Sequence, residues 1–86
     1  MTVFTSQDTV NDSATILVGA NTERRRIELE NTGGNTAYIA GSNAVTVDDY
    51  PLRPGERIDM SNYTGDIYAV CSTEESTTIS VVGENL

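Results

Sequence analysis

Every apolar run in this chain is short, rich in β-branched residues, and closed by a cluster of Gly, Asn, Asp, Ser or Thr. Such a run supplies one buried strand and then requires a turn, and no stretch carries the i, i+3, i+4 recurrence of an amphipathic helix. Thr15-Ile16-Leu17-Val18 reads as a strand ending at Gly19. From Arg26 to Asn31, Ile27 and Leu29 alternate with Glu28 and Glu30, which predicts one face in the core and the other in water. Asn31-Thr32-Gly33-Gly34-Asn35 reads as a hairpin tip with positive φ, returning through Ala37-Tyr38-Ile39-Ala40. Val45-Thr46-Val47 is expected as an edge segment before the turn-prone Asp48-Asp49. Pro54-Gly55 matches the centre of a type II turn, and the strand leaving it, Arg57 to Met60, should turn Ile58 and Met60 inward. Asp66 to Cys71 places Ile67, Ala69 and Cys71 on one face. Polar Ser72 to Ser76 then leads to Thr77 to Val82, with Ile79 and Val81 inward. The expected fold class is all-β, a small antiparallel β-sandwich or barrel of about six or seven short strands. Residues 1–13, with little to bury beyond Val3, Phe4 and Val10, read as a polar N-terminal arm available to a partner, and residues 14–86 as a single β domain.

A core built from 86 residues supplies only about 3–5 kcal/mol, which small proteins supplement with disulfides, a metal or oligomerisation. Cys71 is the only cysteine and histidine is absent, so an intrachain disulfide and the usual zinc ligands are excluded. Association with copies or with a larger partner remains. The net charge is −8, lysine is absent, and the cations are Arg24, Arg25, Arg26, Arg53 and Arg57. This balance repels phosphate backbones and excludes a general nucleic-acid binder. No apolar run approaches the roughly 20 residues of a membrane span, and Met1-Thr2-Val3-Phe4 has no secretory signature. The chain is expected to be made in a cytoplasm and to bind no membrane.

The same inventory argues against catalysis. Without histidine the usual general base and triad partner are missing, and Cys71, on an apolar face, is expected to be an inert core thiol. The adjacent carboxylates Asp48-Asp49 and Glu74-Glu75 lie in turn-like sequence, where neighbouring side chains diverge; solvated loops are the simpler reading than a glycosidase pair. A calcium site at Asp48 and Asp49 lacks the spaced acidic pattern such loops use. Gly33-Gly34 has neither the lysine nor the following helix of a phosphate loop. No cofactor and no metal are therefore expected.

Strict alternation puts Arg24 and Arg26 on one face and Arg25 on the other. They either pair across strands with carboxylates such as Glu28, Glu30 or Asp66, or bind carboxylates of a partner through the guanidinium fork. Tyr38, Tyr50, Tyr63 and Tyr68 suit either the edge of a core or an interface. The residues selected as partner-binding are Phe4, Arg24, Arg25, Arg26, Tyr50 and Tyr63.

The succession R-R-I-E-L-E-N-T-G-G-N-T-A-Y-I-A-G-S, P-L-R-P-G-E-R-I-D-M and G-D-I-Y-A-V-C-S, over roughly residues 24 to 84, resembles small all-β virion structural proteins of tailed bacteriophages. Arg26 to Gly33, Tyr38 to Ser42, Pro51 to Glu56 and Tyr68-Ala69 carry it; Ala40 stands where glycine is usual, and Asp48-Asp49-Tyr50 replaces small residues. The resemblance implies a capsid decoration (cement) protein on the outer head surface, bound to the major capsid protein or another virion protein, with a trimer as the favoured homo-oligomer. It also admits a tail or fibre component, and a host-surface glycan-binding module or a domain that binds one bacterial protein are further readings.

Overall fold

The central strand is the one whose alternation is clearest. In the computed structural model, which describes residues 2–86, Ile27, Leu29 and Asn31 of β3 (Arg24–Asn31) face inward and are buried, while Glu28 and Glu30 face outward. Around it lie β1 (Thr2–Val10), β2 (Thr15–Val18), β4 (Ala37–Ala40), β5 (Tyr50–Leu52), β6 (Arg57–Ser61), β7 (Ile67–Cys71) and β8 (Thr77–Asn85). The described residues thus form eight strands and no helix, so the all-β sandwich expected from the sequence is the observed class.

The strands form one long antiparallel ribbon wound on itself. Its rungs are β1 with β8, β2 with β7, β3 with β6, and β4 with β5; winding then brings β8 beside β3 and β7 beside β4. Two four-stranded sheets result, ordered β1-β8-β3-β6 and β2-β7-β4-β5. Between them Val10, Leu17, Ile27, Leu29, Ile39, Leu52, Ile67 and Ile79 form the core, each contributing about 1.5–3 kcal/mol on burial. The accessible surface of 4782 Å² is close to the ~5,000 Å² expected of a compact monomer of 9.3 kDa. The single chain is therefore as compact as a monomer of its mass.

Four expectations change. Residues 2–10, read as an arm, form β1, the longest strand together with β8, with which they pair from Thr2↔Asn85 to Val10↔Thr77; Met1 lies outside the described residues. Backbone pairing suffices for an edge strand that buries little besides Phe4 and Val10. Val45-Thr46-Val47 is a loop, closed by Thr46 N–H donating to Asp49 Oδ2, and the edge strand is β5 instead. β3 and β4 are not a hairpin: they lie in different sheets, and residues 32–36 cross between them. Gly33 serves that crossing by close approach, since a Cβ there would stand 2.0 Å from Thr77 Oγ1 and 2.6 Å from the Thr78 nitrogen. Positive φ falls at Gly55 (83°), within the turn closed by Glu56 N–H on the Arg53 carbonyl at 2.9 Å, as Pro54-Gly55 predicts.

The fourth change concerns the arginines. A bulge in β3 sets Arg24 opposite Asn85 and Arg26 opposite Glu84, leaving Arg25 as the extra residue. Arg24 therefore turns inward with Ile27, while Arg25 and Arg26 stay exposed.

Candidate docking surface

Each end of β3 is closed by one buried polar side chain. Arg24, 1 % exposed, donates from Nη1 to the carbonyls of Tyr63 and Gly65 at 3.0 Å each and from Nη2 to the Gly19 carbonyl. Among the described residues it has no carboxylate partner, and its Nε is buried without a hydrogen-bond partner. The guanidinium ties the β2–β3 loop to the β6–β7 loop. At the far end, Asn31 Nδ2 donates to the carbonyls of Asn35 and Leu52, and its Oδ1 accepts from Gly33 N–H and the Thr77 hydroxyl. The N-T-G and P-L-R-P-G-E segments meet at this clamp. They hold the winding of the ribbon.

The β6–β7 loop held by Arg24 forms one wall of an apolar cleft. Asn62 at φ 64° turns the chain, and the Tyr63 ring covers Gly65 and Gly41, where added Cβ atoms would lie 2.6 and 2.9 Å from its hydroxyl. That hydroxyl donates to the Asp66 carbonyl at 2.7 Å. The cleft, about 360 Å³, opens where edge strands β5 and β6 face each other without pairing; Ile39, Tyr50, Ile58, Met60, Tyr63 and Ile67 line it. Of its polar groups, Asp66 Oδ1 already accepts from Ala20 N–H.

The outer faces of the two sheets differ in kind. On the first, the β3–β6 side is charged, Arg26 pairing with Asp59 at 2.7 Å and with Glu84 at 3.8 Å and Arg57 with Glu28 at 3.7 Å, while the β1–β8 side is uncharged apart from Glu84 and exposes Val3 and Val82. On the second, the residues alternating with the core are Ile16, Tyr38, Ala40, Pro51, Tyr68 and Val70, none of them charged. The register sets Ile16 and Ala40 on either side of Tyr68, and Pro51 and Val70 on either side of Tyr38. The two tyrosines are diagonal neighbours on one face. Ala40 also lines the cleft, so face and cleft are continuous.

Of the residues singled out from the sequence, only Tyr50 and Tyr63 meet in this region. Phe4 is half-buried, its ring seated on Gly83, where a Cβ would lie 2.3 Å from Cζ; it packs against the core. Arg24 is the clamp just described. Arg25 is exposed, and Arg26 is engaged by carboxylates of its own chain. Tyr38 and Tyr68 were recognisable as candidates, but what groups them, the pairing of β4 with β7, is not a local signal. Cys71 is buried and its thiol donates to the Val10 carbonyl at 3.5 Å. Burial first, then the charges of Glu75 and Asp12, push its pKa up, which suppresses the reactive thiolate. Asp49 is held within its own loop, and the described residues bring no three Asp, Glu or Cys side chains together as metal ligands.

No protein-family model and no curated protein matches the chain. Among solved structures, it is similar to a de novo designed double-stranded β-helix, with TM-score 0.65 and 22% identity over 94% of this chain and 99% of that one. It is also similar to a putative mannose-6-phosphate isomerase from Ralstonia eutropha JMP134, with TM-score 0.61 and 11% identity over 98% of this chain and 75% of that one. At these identities the likeness is one of fold, and it agrees with the wound ribbon: the chain folds as a double-stranded β-helix.

Proposed function

We propose that the chain is a non-catalytic assembly module, a capsid decoration protein of the tailed-phage type, which lies on the head surface with the uncharged face of its second sheet and the adjoining cleft against the major capsid protein. The observation that carries this reading is the asymmetry of the two outer faces. The charged, internally paired β3–β6 side of the first sheet suits water; a face of tyrosine, isoleucine, alanine and proline suits a partner, since interface centres are depleted in charge and enriched in tyrosine. The surface received there is apolar with a basic rim, because the chain carries −8 overall and Asp48 and Asp49 precede Tyr50 at the mouth of the cleft. One apolar side chain of the capsid protein fills the cleft.

A glycan is a poorer occupant. Sugars need several unpaired donors and acceptors, whereas the Tyr63 hydroxyl and an Asp66 carboxylate oxygen are already engaged within the chain. The test is retention on purified particles. Tyr68→Glu and Tyr38→Arg, both outward on the second sheet, should abolish co-sedimentation with heads while leaving the circular dichroism spectrum unchanged. Glu30→Arg, outward on the first sheet, should retain binding. Equal retention of all three would refute the assignment.

A further inference from the structure

The sandwich has four edge strands, and three carry a device that blocks pairing with another chain. β5 is three residues long and contains Pro51, which has no N–H. β2 is four residues long and its pairing with β7 is broken by an irregularity between Ile16 and Val18. β6 carries Arg57 and Asp59 on its outward face. Short length, proline, bulges and charge are how sheets protect their edges. β1 departs from the pattern. It has nine residues, no proline and an unbroken register with β8, and its one charge, Asp8, lies near an end and accepts from the Ser6 hydroxyl. No backbone hydrogen bond from a loop covers Thr2 to Thr9 among the described residues.

We propose that β1 is a self-pairing edge: two copies join antiparallel through β1 about a two-fold axis near Thr5, making one continuous eight-stranded sheet. The occupant is a second copy because β1 can lie against itself without like charges meeting. With Thr5 opposite Thr5, each Asp8 falls opposite Thr2 of the second copy, so no like charges meet. Val3, the most exposed large apolar side chain among the described residues at 62 %, then lies beside the seam. Because the two-fold is perpendicular to the sheet, the tyrosine faces of both copies point the same way. The pair is thus a bivalent module, a two-fold dimer in place of the trimer implied by resemblance. The seam does not depend on what the tyrosine face binds.

Salt identifies the partner. Two copies, each carrying −8, repel at long range, and salt screens that repulsion while leaving backbone pairing intact. Dimerisation should therefore strengthen with salt, whereas pairing with a basic strand of another protein would weaken. The experiment is sedimentation velocity of the full chain at low and high salt, alongside Thr5→Pro and Ser6→Pro. Adjacent strand residues point their N–H groups to opposite sides, so one proline removes a bond to β8 and the other only blocks the open edge. Wild type should sediment as a dimer whose fraction rises with salt, and the proline variant that keeps its melting temperature should be monomeric. A wild-type monomer at all salts, a dimer that salt dissociates, or a dimer surviving in both proline variants would overturn the proposal. Retention of the monomeric proline variant on heads separates failure of the seam from failure of the tyrosine face.

Discussion

Replacing Arg24 with methionine tests the claim that three consecutive arginines have three different roles. Arg24→Met keeps the apolar stem but removes the guanidinium and its three hydrogen bonds to the Gly19, Tyr63 and Gly65 carbonyls. Bonds to a charged group contribute about 1.5–3 kcal/mol each, a gross loss of roughly 4.5–9 kcal/mol. The desolvation of a buried, unpaired guanidinium with a bare Nε offsets part of that, and with three carbonyls left without this donor the net loss is about 3 kcal/mol or more. A chain of 86 residues is stable by only ~4–13 kcal/mol. A loss of 3 kcal/mol at this size lowers Tm by roughly 12–24 °C. Urea and thermal unfolding of Arg24→Met, Arg25→Met and Arg26→Met measure the difference. Arg25→Met should lie within about 0.5 kcal/mol of wild type, and Arg26→Met should lose under about 1 kcal/mol because its ion pairs are exposed. If Arg24→Met and Arg26→Met behave alike, simple alternation is right and the bulge-driven inversion of Arg24 is wrong. If Arg24→Met stays within about 1 kcal/mol of wild type, a clamp bound by charge-assisted hydrogen bonds is refuted.

Other expectations follow from the same geometry. Gly33→Ala should destabilise by about 1–3 kcal/mol or more, because the methyl group meets the Thr78 backbone. Gly34→Ala, with nothing within 4 Å, should be neutral or stabilising by about 0.4–1 kcal/mol; urea midpoints distinguish the two. Asn31→Ala, which strips partners from two carbonyls, the Gly33 N–H and the Thr77 hydroxyl, should lose about 3 kcal/mol or more, and equal midpoints for it and wild type would refute the clamp. Cys71 makes stability fall at alkaline pH. Its folded pKa is raised, so the stability is fully present below the ordinary thiol value of 9.0 and declines as pH rises from there to the folded value, the window in which the unfolded chain alone has lost its proton. Cys71→Ala should flatten that decline relative to wild type, and an unchanged slope would contradict it.

Most of the strands were legible because their residues carry the signal themselves. β3 announces its two faces through Ile27 and Leu29 against Glu28 and Glu30, and Pro54-Gly55 announces a turn whose positive φ only glycine accepts freely. β1 was hidden because an edge strand is held by backbone bonds to β8, to which Thr5-Ser6-Gln7-Asp8 contribute no compositional cue. β5 was hidden by Pro51, which weakens a strand reading yet is tolerated at an edge. Val45 looked like strand because it is apolar, but its burial comes from a loop. The bulge at Arg25 inverted the arginine pattern, and one extra residue leaves no trace in local propensity. For the candidate docking surface, Tyr38, Tyr50, Tyr63 and Tyr68 were legible only as residues suited to the edge of a core or to an interface. Their grouping depends on β7 lying between β2 and β4, a consequence of winding the whole ribbon.

Which face meets a partner is measured directly by cryo-electron microscopy of particles, combined with the ratio of this chain to the major capsid protein by quantitative mass spectrometry. The expected result is density across the head surface in fixed proportion to the capsid protein, with Tyr38, Tyr68 and the Tyr50–Tyr63 cleft against the shell and the Arg26–Glu84 face toward solvent. Density confined to the tail, or the charged face against the shell, would contradict it.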